Sequence, residues 1–176
     1  MPESHKAGFV SIVGKPNVGK STLMNKLVGE NLSIITFKAQ TTRHRIMGIL
    51  SGDDFQIVYS DTPGLLEPKY ELHKKMMTYV AVSMEDADLI LLVVELGEKY
   101  DPALFDRLKH TKSPIFLVIN KIDLAKGSQL DDKIAYWKTQ LDPKAIIPVS
   151  AISGENAATF RLLLPADLDQ LAFLGH

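Results

Sequence analysis

Eight residues, Gly14-Lys15-Pro16-Asn17-Val18-Gly19-Lys20-Ser21, constrain this chain more than any other stretch. They fit the phosphate-binding loop pattern, in which two glycines with four residues between them are followed by Lys and Ser. An apolar run, Phe9-Val10-Ser11-Ile12-Val13, precedes them, and Ser21 to Val28 follows with helical periodicity. The pattern requires this strand–loop–helix setting. Gly14 and Gly19 permit backbone angles that turn successive N–H groups inward on phosphate oxygens. The helix that opens near Lys20 adds the positive end of its dipole.

Beyond this unit, short apolar runs alternate with longer amphipathic segments. Ile46 to Leu50 and Phe55 to Tyr59 read as a strand pair joined by Ser51-Gly52-Asp53-Asp54. Leu89 to Val94 and Ile115 to Ile119 are continuous apolar runs, as expected of strands covered on both faces. Ile146-Ile147-Pro148-Val149 is a last short strand. Leu72 to Met84, Pro102 to Lys109 and Leu130 to Leu141 read as helices, with Trp137 half-buried against the sheet, and Asn31 to Arg45 reads as a mobile loop. The alternation predicts an α/β fold of the P-loop NTPase type. It is a doubly wound, mostly parallel six-stranded sheet with one antiparallel edge strand and helices on both faces. Ligands in such sheets sit at the carboxyl ends of the strands, where the remaining motifs fall.

Composition narrows the function. The chain has 176 residues and no cysteine, which excludes disulfides and thiolate chemistry. The formal net charge of −1 does not suit a domain that binds nucleic acid by charge alone. The run Leu89 to Val94 is far short of a membrane span, and Met1 to Ala7 lacks the apolar stretch of a signal peptide. These features point to a cytoplasmic protein. His5, His44, His73, His110 and His176 show no metal-ligand spacing and read as surface residues. The run His73-Lys74-Lys75 reads as a solvated helix face.

Four further motifs carry chemistry. Lys20 should reach the β- and γ-phosphates of a nucleotide, and Ser21 should coordinate Mg²⁺. Asp61-Thr62-Pro63-Gly64 ends a predicted strand; Asp61 can hold Mg²⁺ through water, and the Gly64 N–H can meet the γ-phosphate. In Asn120-Lys121-Ile122-Asp123, the Asp123 carboxylate can accept from N1–H and the exocyclic amine of guanine. Adenine offers neither donor there, so a buried acceptor would reject it. The bland alternative for Asp123 is a helix N-cap. The Lys121 stem can lie along the base, and Asn120 can tie this loop to the phosphate loop. The backbone N–H of Ser150-Ala151 could donate to guanine O6, a weak signal by itself. Thr41-Thr42 lies in the predicted mobile loop. A threonine there can ligate Mg²⁺ only when the γ-phosphate is present, which would make the loop a switch.

Together these elements resemble the Era-like GTPases, a branch of the translation-factor-related P-loop GTPases. The resemblance rests on Gly14 to Thr22, Lys38-Ala39-Gln40-Thr41-Thr42-Arg43-His44-Arg45, Asp61-Thr62-Pro63-Gly64-Leu65, Asn120-Lys121-Ile122-Asp123 and Ser150-Ala151. It implies Mg²⁺-dependent GTP binding and hydrolysis to GDP in small ribosomal subunit assembly. It assigns Asn17, Val18, Gly19, Lys20, Ser21, Thr22, Asn120, Lys121, Asp123, Ser150 and Ala151 to the nucleotide. It assigns Ser21, Thr42 and Asp61 to the metal, with Thr42 preferred over Thr41. Lys20, Thr42, Gly64 and Asn17 are then the catalytic candidates. The family carries a C-terminal KH domain that binds small-subunit ribosomal RNA. Here a G domain is expected over 1–156 and a truncated helical tail over 157–176, with the KH domain absent.

Many GTPases orient the attacking water with a Gln directly after the Asp-x-x-Gly turn. Leu65 stands at that place and cannot hydrogen-bond water, which predicts slow turnover with the water held by backbone of the Thr41–Thr42 loop. Asn17 offers a K⁺ contact in place of an arginine finger, or else only braces the loop. The competing functions are a guanine-nucleotide-binding interaction module with little turnover, and a P-loop ATPase or kinase, against which Asp123 argues. A monomer is expected, and peripheral membrane contact is left open.

Overall fold

In the computed structural model, residues 6–20, 22–23, 32–33, 46–51, 55–62 and 64–150 are described. They form one seven-stranded sheet in the order β2-β3-β4-β1-β5-β6-β7. The strands are β1 Lys6–Val13, β2 Leu32–Ser33, β3 Ile46–Ser51, β4 Phe55–Asp61, β5 Leu89–Glu95, β6 Ile115–Asn120 and β7 Ala145–Pro148. β4, β1, β5, β6 and β7 run parallel, while β2–β3 and β3–β4 are antiparallel. The expected α/β class and mostly parallel sheet are present.

The strand count differs from the expected six by the two-residue β2, which falls inside the segment read as a mobile loop. Leu32 and Ser33 pair with Leu50 and Ile49 of β3. Backbone pairing along an edge does not need a periodic side-chain pattern, so the sequence carried no sign of it.

Alternation along β5 explains its unbroken apolar run. Leu89, Leu91 and Val93 enter one core layer, and Ile90, Leu92 and Val94 enter the other. The second layer is covered by helices α1 (Glu71–Asp86), through Met77, Val80 and Met84, and α3 (Gln129–Leu141), through Trp137. The short helix α2 (Pro102–Phe105) adds Phe105. On the opposite face Val18 and Leu23 pack from the phosphate loop and the helix it opens; the rest of the expected helix 21–28 and the tail 157–176 lie outside the described residues.

Two local expectations are corrected. Pro102 to Lys109 is not one helix: one α-helical turn from Pro102 to Phe105 passes into a 3-10 helix over Asp106–His110. Asp101 caps the start by accepting from the Ala103 N–H, and no apolar periodicity carries the α-helix further. Trp137 is fully buried rather than half-buried, since Tyr136, Phe105 and Tyr100 surround its ring with centroids 5.4, 5.8 and 6.3 Å away. No helix among the described residues is long and apolar enough to cross a membrane.

A buried hydroxyl cluster registers α1 on the sheet. Ser83 Oγ lies 2.7 Å from Ser11 Oγ of β1 and 3.3 Å from Ser60 Oγ of β4. All three residues are buried. Such hydroxyls are tolerated inside a core because each finds a hydrogen-bond partner.

Candidate functional site

β1 lies between β4 and β5, so the loop after Val13 opens where the chain's connections diverge to the two sides of the sheet, the usual ligand crevice of such folds. Asn17 has φ 65° and Gly19 φ 96°, left-handed values that curl the loop. A Cβ on Gly19 would collide with the Asn120 side-chain amide, so glycine serves both the turn and a close approach there. The Leu23 N–H donates to the Gly19 carbonyl at 2.9 Å and starts the helix. Lys20 is buried, and its Nζ donates to the Gly14 and Lys15 carbonyls at 3.2 and 2.9 Å. The ammonium is thus held within the turn of the loop that precedes it. Val18 is buried, and Thr22 is exposed.

The Asp61–Gly64 turn is strapped to this loop. Asp61 ends β4 opposite Ile12 of β1. Thr62 donates twice to the Ile12 carbonyl, from its N–H at 3.3 Å and its hydroxyl at 2.8 Å. The Leu65 N–H donates to the Gly14 carbonyl at 2.7 Å. A Cβ on Gly64 would lie 2.6–2.9 Å from atoms of Pro16, so only glycine lets the two turns pack this closely. Leu65 is buried and packs with Met77, Val80 and Leu92, which makes it a core residue rather than a group facing solvent.

A second loop reaches the phosphate loop from β6. Asn120 is buried, and its Nδ2 donates to the Val18 carbonyl at 2.8 Å. Lys121 has φ 66°, and its Nζ donates to the Asn17 carbonyl at 3.2 Å and to Glu95 Oε1 at 2.7 Å. Asp123 sits inside the 3-10 turn Ile122–Leu124, whose cap is Lys121, so it is not that turn's N-cap. Its carboxylate is exposed, and Oδ1 accepts from the buried Ser150 hydroxyl at 2.9 Å. The Ile122 N–H donates to the Val149 carbonyl at 3.3 Å, which ties the same turn to the end of the sheet.

Asn17, Val18, Gly19, Lys20, Asn120, Lys121, Asp123 and Ser150 therefore gather at the carboxyl ends of β1, β6 and β7, with Gly64 beside them at the end of β4. Ser21, Thr41, Thr42 and Ala151 lie outside the described residues. Three residues to which the motifs gave no role lie at the site: Thr62, Glu95 and Glu98. Thr62 was visible within Asp-Thr-Pro-Gly, but its hydroxyl bond depends on the β1–β4 pairing. Glu98 follows β5, and burial pushes its carboxyl up to about 7 against the pull of Lys15. Its Oε2 is buried without a hydrogen-bond partner among the described residues. Neither glutamate has a spacing signal, because each meets the phosphate loop only through the sheet.

The 50S ribosome-binding GTPase family model matches residues 9–121, more than half of the chain. Aquifex aeolicus Era, a point variant solved with GDP and AlF4⁻, is 36% identical over 93% of this chain with a TM-score of 0.74. Era solved with MgGDPNP and nucleotides 1506–1542 of 16S ribosomal RNA is 36% identical over 93% of this chain, with a TM-score of 0.73. In both cases the chain spans 56% of the Era chain. The G domain of the T. maritima FeoB iron transporter shares the fold at 22% identity and a TM-score of 0.64, over 94% of this chain and 99% of its own. The chain belongs to the 50S ribosome-binding GTPase family, and the part of it described here is an Era-like G domain.

Proposed function

We propose that this domain binds GTP and GDP with Mg²⁺ and hydrolyses GTP slowly, as a switch in small ribosomal subunit assembly in the cytoplasm. One observation carries the reading: Asn120 Nδ2 joins the Val18 carbonyl at 2.8 Å, which locks the phosphate loop to the turn that bears Asp123. A polyphosphate grip and a carboxylate suited to the guanine edge are thereby held as one unit.

The donor set fits magnesium bound with a nucleotide. Among the described residues no three acids or histidines gather as a self-sufficient metal cage. Magnesium typically keeps waters and substrate phosphates as most of its ligands, with one or two from protein. Ser21 and Asp61 would hold it, joined by Thr42 in the GTP state. When bound, it neutralises charge on the β- and γ-phosphate oxygens. Lys20 is already inside the phosphate loop and exchanges its carbonyl partners for phosphate oxygens. Gly64 is held close to Pro16 of the phosphate loop, so its N–H would meet the γ-phosphate, and the Ala151 N–H would donate to the base.

The buried Leu65 side chain cannot orient an attacking water, which supports low intrinsic turnover. Asn17 lies exposed on the loop, available to a potassium ion beside the phosphates. The Era relative bound to a 16S ribosomal RNA fragment supports ribosomal RNA as partner. The same Leu65 burial favours a second reading, a nucleotide-binding module with little turnover.

Isothermal titration with GDP and ADP tests base choice, and phosphate release in K⁺ against Na⁺ tests turnover. The reading predicts strong preference for GDP and faster release in K⁺. Equal affinity for both diphosphates would remove guanine recognition. Equal rates in the two salts would remove the potassium role, and no release in either would leave the binding module. Filter binding to the 1506–1542 fragment tests the RNA partner.

A further inference from the structure

Glu95 is the last residue of β5 and faces Asn120 in the parallel ladder with β6. Its Oε1 accepts from Lys121 Nζ at 2.7 Å, and the same ammonium donates to the Asn17 carbonyl at 3.2 Å. The Lys121 backbone is left-handed, which an L residue adopts only where its surroundings hold it. A free lysine side chain samples many rotamers, and ordering it on ligand binding costs entropy. Between the strand end and the phosphate loop that cost is met before a ligand arrives. The side chains of Lys121 and Glu95 are 31% and 38% exposed, so the pair adds little to folding stability. Its consequence is geometric.

We propose that Glu95 is a positioning residue for guanine-nucleotide binding: it fixes Lys121 so that the lysine stem is set beside the Asp123 turn for the base to stack on. The inference rests on the guanine-nucleotide reading above. It adds a carboxylate from β5 to a site otherwise built from the ends of β1, β4, β6 and β7.

The test is GDP titration of the full chain as wild type, E95A, E95Q, E95D, K121A and the E95A/K121A double variant, with melting temperatures recorded for each. E95A should weaken GDP binding about tenfold, or about 1.4 kcal/mol, with the melting temperature held within about 2 °C. E95Q retains shape without charge and should fall between wild type and E95A. E95D keeps the charge and should restore affinity to within about threefold of wild type. In the double variant the loss should match that of K121A alone, because Glu95 acts through Lys121. If wild type binds GDP and E95A binds it equally well, or if the losses multiply in the double variant, the positioning role is wrong. If wild type itself binds no GDP, the guanine-nucleotide reading has failed first, and this inference falls with it.

Discussion

Asn120 Nδ2 donates to the Val18 carbonyl across 102 positions of sequence, while Asn120 itself is buried against Gly19. The bond joins the ends of β6 and β1, which are not neighbours in the sheet, since β5 runs between them. Replacing Asn120 by Ala should leave a buried carbonyl unpaired and cost about 1–3 kcal/mol of stability. It should also weaken GDP binding, because the two loops are no longer held together. Urea unfolding and GDP titration of the same sample check both effects, and an N120A protein as stable as wild type would contradict the account.

Gly64 should tolerate no side chain. A Cβ would approach Pro16 backbone atoms at 2.7 and 2.9 Å, so one of the two turns must move. Gly64→Ala is expected to reduce GTP hydrolysis by about tenfold or more, since on the proposed reading the Gly64 N–H meets the γ-phosphate and its misplacement acts on the transition state. GDP, which lacks that phosphate, should bind nearly as before. Single-turnover phosphate release set against GDP titration separates the two, and equal losses in both would point to general damage.

Glu98 makes folding stability depend on pH. Its carboxyl titrates near 7 in the folded protein against an ordinary value of 4.5, chiefly because burial disfavours the charge. The folded state therefore holds this proton more tightly than the unfolded chain. The group's contribution is most favourable below about pH 4.5, declines as pH rises towards 7, and is constant above that. Glu98→Gln removes the titration. Discounted for partial exposure, it should stabilise the domain by about 1–2 kcal/mol at pH 8 and by little at pH 4.5. Denaturant midpoints of both proteins at the two pH values measure this, and a difference that does not change with pH would refute it.

Ser83 supplies the hydroxyl between Ser11 and Ser60. Ser83→Ala should cost about 1–2 kcal/mol, because two buried hydroxyls lose a partner. Since α1 follows the Asp61–Gly64 turn, hydrogen exchange at the turn should also quicken. Unchanged unfolding midpoints would show that Ser11 and Ser60 re-pair without it.

Much of this protein is written locally. The phosphate-loop residues, the breaks after β4 and β6, and the apolar runs of β5 and β6 were legible because each depends on neighbours in sequence: glycine where φ turns positive, and apolar side chains on both faces of a covered strand. The tertiary structure alone decided the rest. β2 forms by edge pairing without a side-chain pattern. Trp137 is enclosed by aromatic residues from two other segments. Leu65, an absent water ligand in sequence, is a core residue once Gly14 holds its N–H. Glu95 and Glu98 gain their surroundings only when β5 lies beside β1 and β6. A motif records which groups are available. Distances such as Lys121 to Asn17, 104 positions apart in the chain, are set by the order in which strands pair, and no local pattern encodes that order.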